Sequence, residues 1–242
     1  MKKQMVSLLF LTVFGPAVAW AGTPVANIKV AGNIALPTCT VNAGDDDLLY
    51  SFGNISPSII PQDITYNGLP SLSNYLTVTC DAETFLTFKA TDNYPNSFIL
   101  APSMSPQLES TAFSLVDSTD TTKTIGGISF QWQYATVDGN TAYISRGNDG
   151  KADNGTWAGG SRLVKNATNG WTGTQQVYVP PSELALVSGK SFSAEFINST
   201  DGSNGINRTY LYSQSTLMDN GVDISNGVNY LGNVVLTFNF GV

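Results

Sequence analysis

The sequence predicts an all-β protein of the sandwich or barrel type. Apolar and polar residues alternate with a period of two along most of the chain, and no stretch shows sustained helical periodicity. Glycine, proline, asparagine or aspartate interrupts this alternation every ten or so residues. Charged residues make up only 12% of the chain, where about 25% is usual. We therefore expect one β-sandwich domain over residues 22–242, with long loop insertions.

The amino terminus has the pattern of a secretory signal peptide. Lys2 and Lys3 precede an apolar run, 6–14, that is too short to cross a bilayer, which needs about 20 residues. Ala19 and Ala21 fit the small-residue rule of signal peptidases, so we expect residues 1–21 to be removed. A retained anchor is the alternative. Later segments are not apolar enough to span a membrane, so the mature chain is expected to have no transmembrane segment.

Removal of the two amino-terminal lysines changes the net charge from −7 to −9. Such an acidic surface repels nucleic acid and anionic lipid, so we expect no nucleic-acid partner.

The strands are predicted from runs in which alternate residues are apolar. In chain order these runs are Ala26–Ile34, Leu48–Phe52, Leu76–Cys80, Thr84–Thr91, Ile125–Tyr134, Thr141–Ser145, Gln175–Val179, Ser191–Ile197 and 233–242. The third and fourth runs are so close that they are either neighbouring strands or one bent strand. Two proline-rich or glycine-rich stretches, Ser56–Pro70 and Arg146–Asn169, are predicted to be long loops.

The chain has two cysteines, Cys39 and Cys80, and export would bring both into an oxidising compartment. A disulfide between them is the expected result. It closes a loop of 40 intervening residues, for which chain entropy gives about 4 kcal/mol of stabilisation.

The last residues of the chain show the clearest strand pattern. One face is expected to carry Val234, Leu236, Phe238, Phe240 and Val242. The pattern allows two interpretations. The run is either a core strand that ends the fold or a strand that also offers its edge to an assembly partner.

Several segments resemble known exported proteins. The Ala26–Ile34 run leading to Cys39, the Phe52–Ile55 segment and the Leu76–Ala82 segment resemble subunits of chaperone–usher fimbriae. The Phe88–Asn93 segment is similar to the GltF-like family of exported bacterial fimbria-associated proteins, as are two shorter segments, Phe113–Leu115 and Ile125–Gly126.

The resemblance implies an incomplete immunoglobulin-like, or pilin-like, sandwich that lacks its last strand, with the disulfide joining its first two strands. A periplasmic chaperone would supply the missing strand first, and the amino-terminal extension of a neighbouring fimbrial subunit would replace it. The chain departs from the pilin pattern at its end, where Gly241 is penultimate and Phe240 is the nearest aromatic residue. It also departs at its start. Unless the Ala26–Ile34 run is itself the donor, the subunit accepts a strand without giving one, which would place it at a fibre tip.

A tip subunit would bind a receptor, and tryptophans in polar, loop-like sequence are candidate contacts for a glycan. Trp157 and Trp171 meet this description. Trp132 and Tyr134 alternate within a predicted strand and are expected to be core or cross-strand residues instead.

Catalysis and metal binding are not expected. The chain has no histidine and no Gly-x-Ser-x-Gly elbow, so a serine triad is excluded, although paired carboxylates remain open. The 147–155 segment has some features of a calcium loop, but it lacks the Asp-x-Asn-x-Asp register and a distal glutamate. No cofactor is expected.

The sequence thus favours an exported fimbrial-type subunit or adhesin-like protein, in the periplasm or on the surface of a Gram-negative bacterium. Two alternatives stay open. One is a free periplasmic or secreted β-sandwich binding protein, and the other is an outer-membrane barrel, which would also end in alternating apolar residues.

Overall fold

The computed structural model describes residues 28–100, 106–152, 161–176, 179–200 and 208–241. The predicted signal peptide, 1–21, lies outside these residues. The chain divides after Ala35 into two units, and the second unit, Leu36–Val242, contains the strands. Within the described ranges, no helix is long and apolar enough to span a bilayer.

The described chain is built from short and long antiparallel strands. They are β1 (Cys39–Val41), β2 (Ser73–Thr84), β3 (Leu86–Asp92), β4 (Phe113–Asp117), β5 (Thr124–Ile128), β6 (Phe130–Val137), β7 (Asn140–Thr141), β8 (Tyr143–Arg146), β9 (Asn169–Thr172), β10 (Gly189–Asn198), β11 (Tyr210–Leu211), β12 (Tyr230–Leu231) and β13 (Val234–Phe240). Two short helices, α1 (Leu108–Thr111) and α2 (Gln214–Asp219), lie between them, with 3-10 turns at Asn42–Gly44, Pro57–Ile59, Gly150–Ala152 and Pro181–Glu183.

The strands form three sheets. The first has the order β1-β2-β10-β6-β7, the second β13-β3-β9-β8 and the third β11-β5-β4-β12. The chain passes from the first sheet to the second at Phe85, between the end of β2 and the start of β3. The two closely spaced runs of the sequence are therefore one bent path that serves two sheets.

The first and second sheets stack through aromatic side chains, which makes the fold an all-β sandwich. Phe88 of β3 is completely buried. Its ring lies 6.4 Å from that of Trp132 on β6 and 6.0 Å from that of Phe196 on β10. The rings of Trp171 on β9 and Phe192 on β10 are 5.5 Å apart. The predicted β-sandwich is confirmed, because the apolar residues of alternating strands meet in a layer between two sheets.

Several predicted strands match the observed ones closely. The Leu76–Cys80 run lies in β2, the Ser191–Ile197 run lies in β10, and Thr141–Ser145 covers parts of β7 and β8. The predicted loop Ser56–Pro70 contains no strand; it has the 3-10 turn at Pro57–Ile59 and an isolated bridge from Tyr66 to Leu211.

Two predicted strands are wrong over their described residues, and the described part of a third forms at most a single bridge, between Val179 and Gly147. In the Ala26–Ile34 run, the described residues from Ile28 onward form no strand. The Leu48–Phe52 run also lacks sheet pairing, although its apolar side chains pack partly on the core and the Tyr50 hydroxyl donates to the Phe196 carbonyl at 2.8 Å. Neither Gln175 nor Gln176 is in a strand. Alternating side chains are therefore not sufficient for a strand, since a ladder also needs a partner backbone.

Candidate functional site

The predicted disulfide is present between Cys39 and Cys80. The two residues are direct partners in the antiparallel pairing of β1 with β2. Thr38, just before β1, makes two hydrogen bonds with Asp81: its carbonyl accepts from the Asp81 N–H at 3.0 Å, and its own N–H donates to the Asp81 side-chain carboxylate at 2.9 Å. The disulfide and these hydrogen bonds therefore fix the point at which the chain enters the sandwich.

The carboxy-terminal strand β13 lies at the end of its sheet. Among the described residues its partner is β3, over the register from Val234 opposite Asp92 to Phe240 opposite Leu86. The carbonyl of Asn233 accepts from the Asn93 N–H, and the N–H of Gly241 donates to the Phe85 carbonyl. The odd-numbered residues of β13 therefore form its backbone hydrogen bonds to β3.

Antiparallel pairing alternates, so the backbone groups of the even-numbered residues of β13 point away from β3. These residues are Val234, Leu236, Phe238 and Phe240. We call this row of backbone groups the free edge of β13.

The side chains of β13 are only partly covered. Val234, Leu236 and Phe238 pack against the core without being buried, and the Phe238 ring lies 5.9 Å from that of Phe88. Phe240 is 42% exposed. The fifth predicted contact, Val242, lies outside the described residues. The apolar face of this strand thus meets the core and remains accessible beside the free edge.

A second apolar segment precedes β1. Residues 28–36, which we call the leading segment, form no strand. The large apolar side chains in this segment are 82% to 103% exposed, and they are Ile28, Val30, Ile34 and Leu36. They recur at every second position, with Gly32 in the middle. This is the pattern of a strand with one apolar face. Among the described residues, however, the segment is paired with no strand.

The tryptophan prediction fails for Trp171. This residue lies in β9 and is fully buried, its indole N–H donates to the Ser193 carbonyl at 3.1 Å, and its ring is 5.4 Å from that of Phe88. It is a core residue and does not reach a surface ligand. The other candidate, Trp157, lies outside the described residues.

Trp132 is buried, as predicted, but Tyr134 is 69% exposed and has a φ of +53°. The alternation of the sequence places both on the same face, so the exposure of Tyr134 needs a local change in the strand. The register of β6 against β10 shifts at this point.

The calcium-like segment uses its aspartate for structural contacts. The Asp149 carboxylate accepts from the backbone N–H of Thr168 at 2.7 Å and from Lys89 Nζ at 2.9 Å. Partial burial alone would raise the pKa of Asp149, but these hydrogen bonds outweigh it and hold the pKa below the usual value. Within the part of the chain that the structure describes, no cluster of three metal-binding side chains occurs.

Sequence reasoning missed a buried ion pair. Lys165 Nζ lies 3.0 Å from Asp92 Oδ2, and the two side chains are 8% and 1% exposed. Asp92 also accepts from the N–H and hydroxyl of Ser114 and from the N–H of Tyr94. The ammonium group lies over the rings of Phe98 and Phe113, at 5.7 and 5.6 Å from their centroids. The pair joins β3 to the loop before β9.

No protein-family model matches this chain, and no curated protein matches it. The functional conclusion therefore depends on the geometry of the free edge and the leading segment.

Proposed function

We propose that the chain is an exported fimbrial-type subunit that assembles by strand complementation. The free edge of β13 accepts the leading segment of a second copy, which continues the sheet by one strand. One observation carries the proposal: the chain presents an unpaired strand edge with an accessible apolar face, and it also has an exposed segment with the matching alternation. Strand addition combines these two features, since backbone bonds hold the strand and alternate side chains fill pockets.

The lengths of the two elements agree. The leading segment has nine residues and β13 has seven, so at about 3.3 Å per residue they extend over roughly 30 Å and 23 Å. In the added strand, Ile28, Val30 and Ile34 would face the core next to the side chains of β13. Lys29 and Asn33 would face solvent.

This arrangement makes the chain both a donor and an acceptor of a strand. It is then a subunit of the fibre body, and a tip location is not required. An uncovered edge with apolar neighbours promotes aggregation, so a periplasmic chaperone is the expected partner before assembly. The resemblance of a few short sequence segments to chaperone–usher subunits and to the GltF-like family is consistent with this proposal, which includes an immunoglobulin-like fold and a final location on the cell surface.

A peptide-binding experiment tests the proposal. A variant that lacks residues 1–36 retains β1 and the disulfide, but it cannot donate a strand. A synthetic peptide of residues 26–37 should bind this variant and raise its thermal midpoint. A peptide with Ile34→Asp should not bind, because it places a charge in the apolar seam. The matched control is a peptide with Asn33→Asp, which places the same charge on the solvent face and should bind.

The chain without residues 1–21 should form oligomers whose size increases with concentration, and the variant without residues 1–36 should remain monomeric. Light scattering after size-exclusion chromatography measures both. A monomeric long form, together with a peptide that leaves the thermal midpoint of the short form unchanged, would disprove strand complementation.

A further inference from the structure

The outer surface of the first sheet carries an aromatic and acidic patch that the proposed assembly does not use. In the register of the sheet, Tyr75 of β2 and Gln133 of β6 lie on either side of Glu195 of β10. Glu195 points to the outer surface because its neighbour Ala194 is buried in the core. Tyr75 is 63% exposed, and Tyr134, next to Gln133, is 69% exposed. We call Tyr75, Gln133, Tyr134 and Glu195 the outer patch.

A β-bulge places Tyr134 in this patch. Tyr134 and Ala135 of β6 lie opposite the single residue Ala194 of β10. In a regular strand Tyr134 would face the core, two residues after the buried Trp132, and the bulge turns it outward instead. Its φ of +53° is a conformation that bulky residues rarely adopt. Such backbone outliers are concentrated at sites where a side chain is positioned for a ligand.

Glu195 is an ionised group without a counter-ion. Hydrogen bonds from the Ser73 hydroxyl and from Gln133 Nε2, the latter at 2.6 Å, hold the pKa of Glu195 below its usual value. The residue is only 9% exposed. None of the four ion pairs among the described residues includes it. Both hydrogen-bond donors are neutral, so they stabilise the carboxylate without compensating its charge.

We propose that the outer patch binds an arginine side chain in a basic peptide segment of a partner protein. A guanidinium group makes two parallel hydrogen bonds to a carboxylate and stacks on tyrosine rings. Neighbouring strands are about 4.8 Å apart, so the backbones that carry Tyr75 and Gln133 are about 10 Å apart. This spacing leaves room for a guanidinium group over Glu195, between the strands that carry Tyr75 and Tyr134.

The charge of the whole chain favours the same partner. Without residues 1–21 the chain has a net charge of −9, which attracts a basic segment over a long range. Tyrosine rings and carboxylates also hold saccharides, but a neutral saccharide would leave the charge of Glu195 uncompensated. The proposal is independent of strand complementation. The outer patch lies on the first sheet and uses no residue of β13 or of the leading segment.

A titration followed by NMR tests this site. The ¹⁵N-labelled variant without residues 1–36, which should remain monomeric, is titrated with the blocked pentapeptide Gly-Arg-Gly-Arg-Gly and with the same peptide containing citrulline, a neutral isostere of arginine. The arginine peptide should shift amide signals of β6 and β10 around Glu195. Citrulline in the peptide, or Glu195→Gln in the protein, should weaken binding about tenfold or more.

Two further variants separate the aromatic contribution from general charge attraction. Tyr134→Asn removes the ring but tolerates a positive φ, and it should weaken binding while the fold is preserved. Glu183→Gln removes an exposed carboxylate in a distant turn and should leave the affinity within twofold. Raising the salt concentration should weaken binding of the arginine peptide.

The proposal is overturned if the arginine peptide does not bind at millimolar concentration, or if the citrulline peptide binds equally well. Equal losses for Glu195→Gln and Glu183→Gln would show non-specific attraction and would also overturn it. Shifts at the same amides with lactose or chitotriose, in the absence of peptide binding, would assign the patch to a saccharide instead. The comparison of the two peptides needs no substitution in the protein, so it decides the question even if a substituted variant fails to fold.

Discussion

The ion pair of Asp92 and Lys165 gives the sharpest prediction for stability. Asp92→Asn removes the negative charge from a site in which the lysine side chain is 8% exposed. The ammonium group is then left beside two aromatic rings, in surroundings where a charge without a partner is unfavourable. Breaking one side of a buried pair costs about 3–5 kcal/mol, so we expect Asp92→Asn to lower the free energy of unfolding by that amount.

Removing the lysine instead of the aspartate should lower the free energy of unfolding by less. In Lys165→Met the Asp92 carboxylate loses its cation, but it keeps the hydrogen bonds from Ser114 and Tyr94. The methionine side chain also retains apolar contact with the aromatic rings. The double variant should be more stable than Asp92→Asn alone, because it no longer buries an unpaired ammonium group.

Urea unfolding of the three variants and the wild type provides a double-mutant cycle. The expected order of unfolding free energies is wild type highest and Asp92→Asn lowest. Additive effects of the two substitutions, or a Lys165→Met variant that is less stable than Asp92→Asn, would show that the interpretation of this pair is incorrect.

Three other predictions follow from the core and the loops. Replacing both cysteines with alanine should lower the free energy of unfolding by about 4 kcal/mol for a closed loop of this length, and the amides of β1 should exchange rapidly with solvent; unchanged urea midpoints would contradict this. Trp171→Ala should cost about 3–5 kcal/mol, as usual for a large buried aromatic side chain, whereas near-wild-type stability would restore Trp171 as a surface residue. The folded-state pKa of Asp149 is lowered, so its contribution to stability is present above the unfolded-state value of 3.8 and is lost as the pH falls through the folded-state value. The difference in urea midpoint between wild type and Asp149→Asn should therefore shrink from pH 6 towards pH 2, and a constant difference would refute the assignment.

Long strands with one buried face were predictable from the sequence. The runs in β2 and β10 alternate over many residues, and each face lies either against the core or against solvent, so the periodicity is clear. The disulfide was also predictable, because the chain has two cysteines, which allow one pairing.

The leading segment shows why other predictions failed. Its alternation is the same as that of a core strand, because a strand that awaits a partner needs the same apolar face as one that already has a partner. The sequence cannot distinguish these two states. In the structure, Ile28 and Val30 are 93% and 94% exposed and lie outside any strand, so the segment is not a core strand.

Single-residue features depended on tertiary contacts. Tyr134 was predicted to share a face with Trp132, and only the register of β6 against β10 reveals the bulge that separates them. Asp92 and Lys165 are far apart in the chain and give no local signal of pairing. Trp171 lies among glycine and asparagine residues that are typical of loops, yet the strand around it is buried on all sides.

The position of the disulfide also determines how the molecule would respond to mechanical tension. A pulling force on the leading segment reaches Cys39 at the first residue of β1 and passes through the sulfur atoms to Cys80 in β2. The 40 residues between the cysteines are then shielded from the force while the bond is intact. Reduction would expose this loop, which can extend by about 140 Å at roughly 3.5 Å per residue. The same bond that holds a three-residue strand in place thus carries the force directly from β1 into β2 of the first sheet.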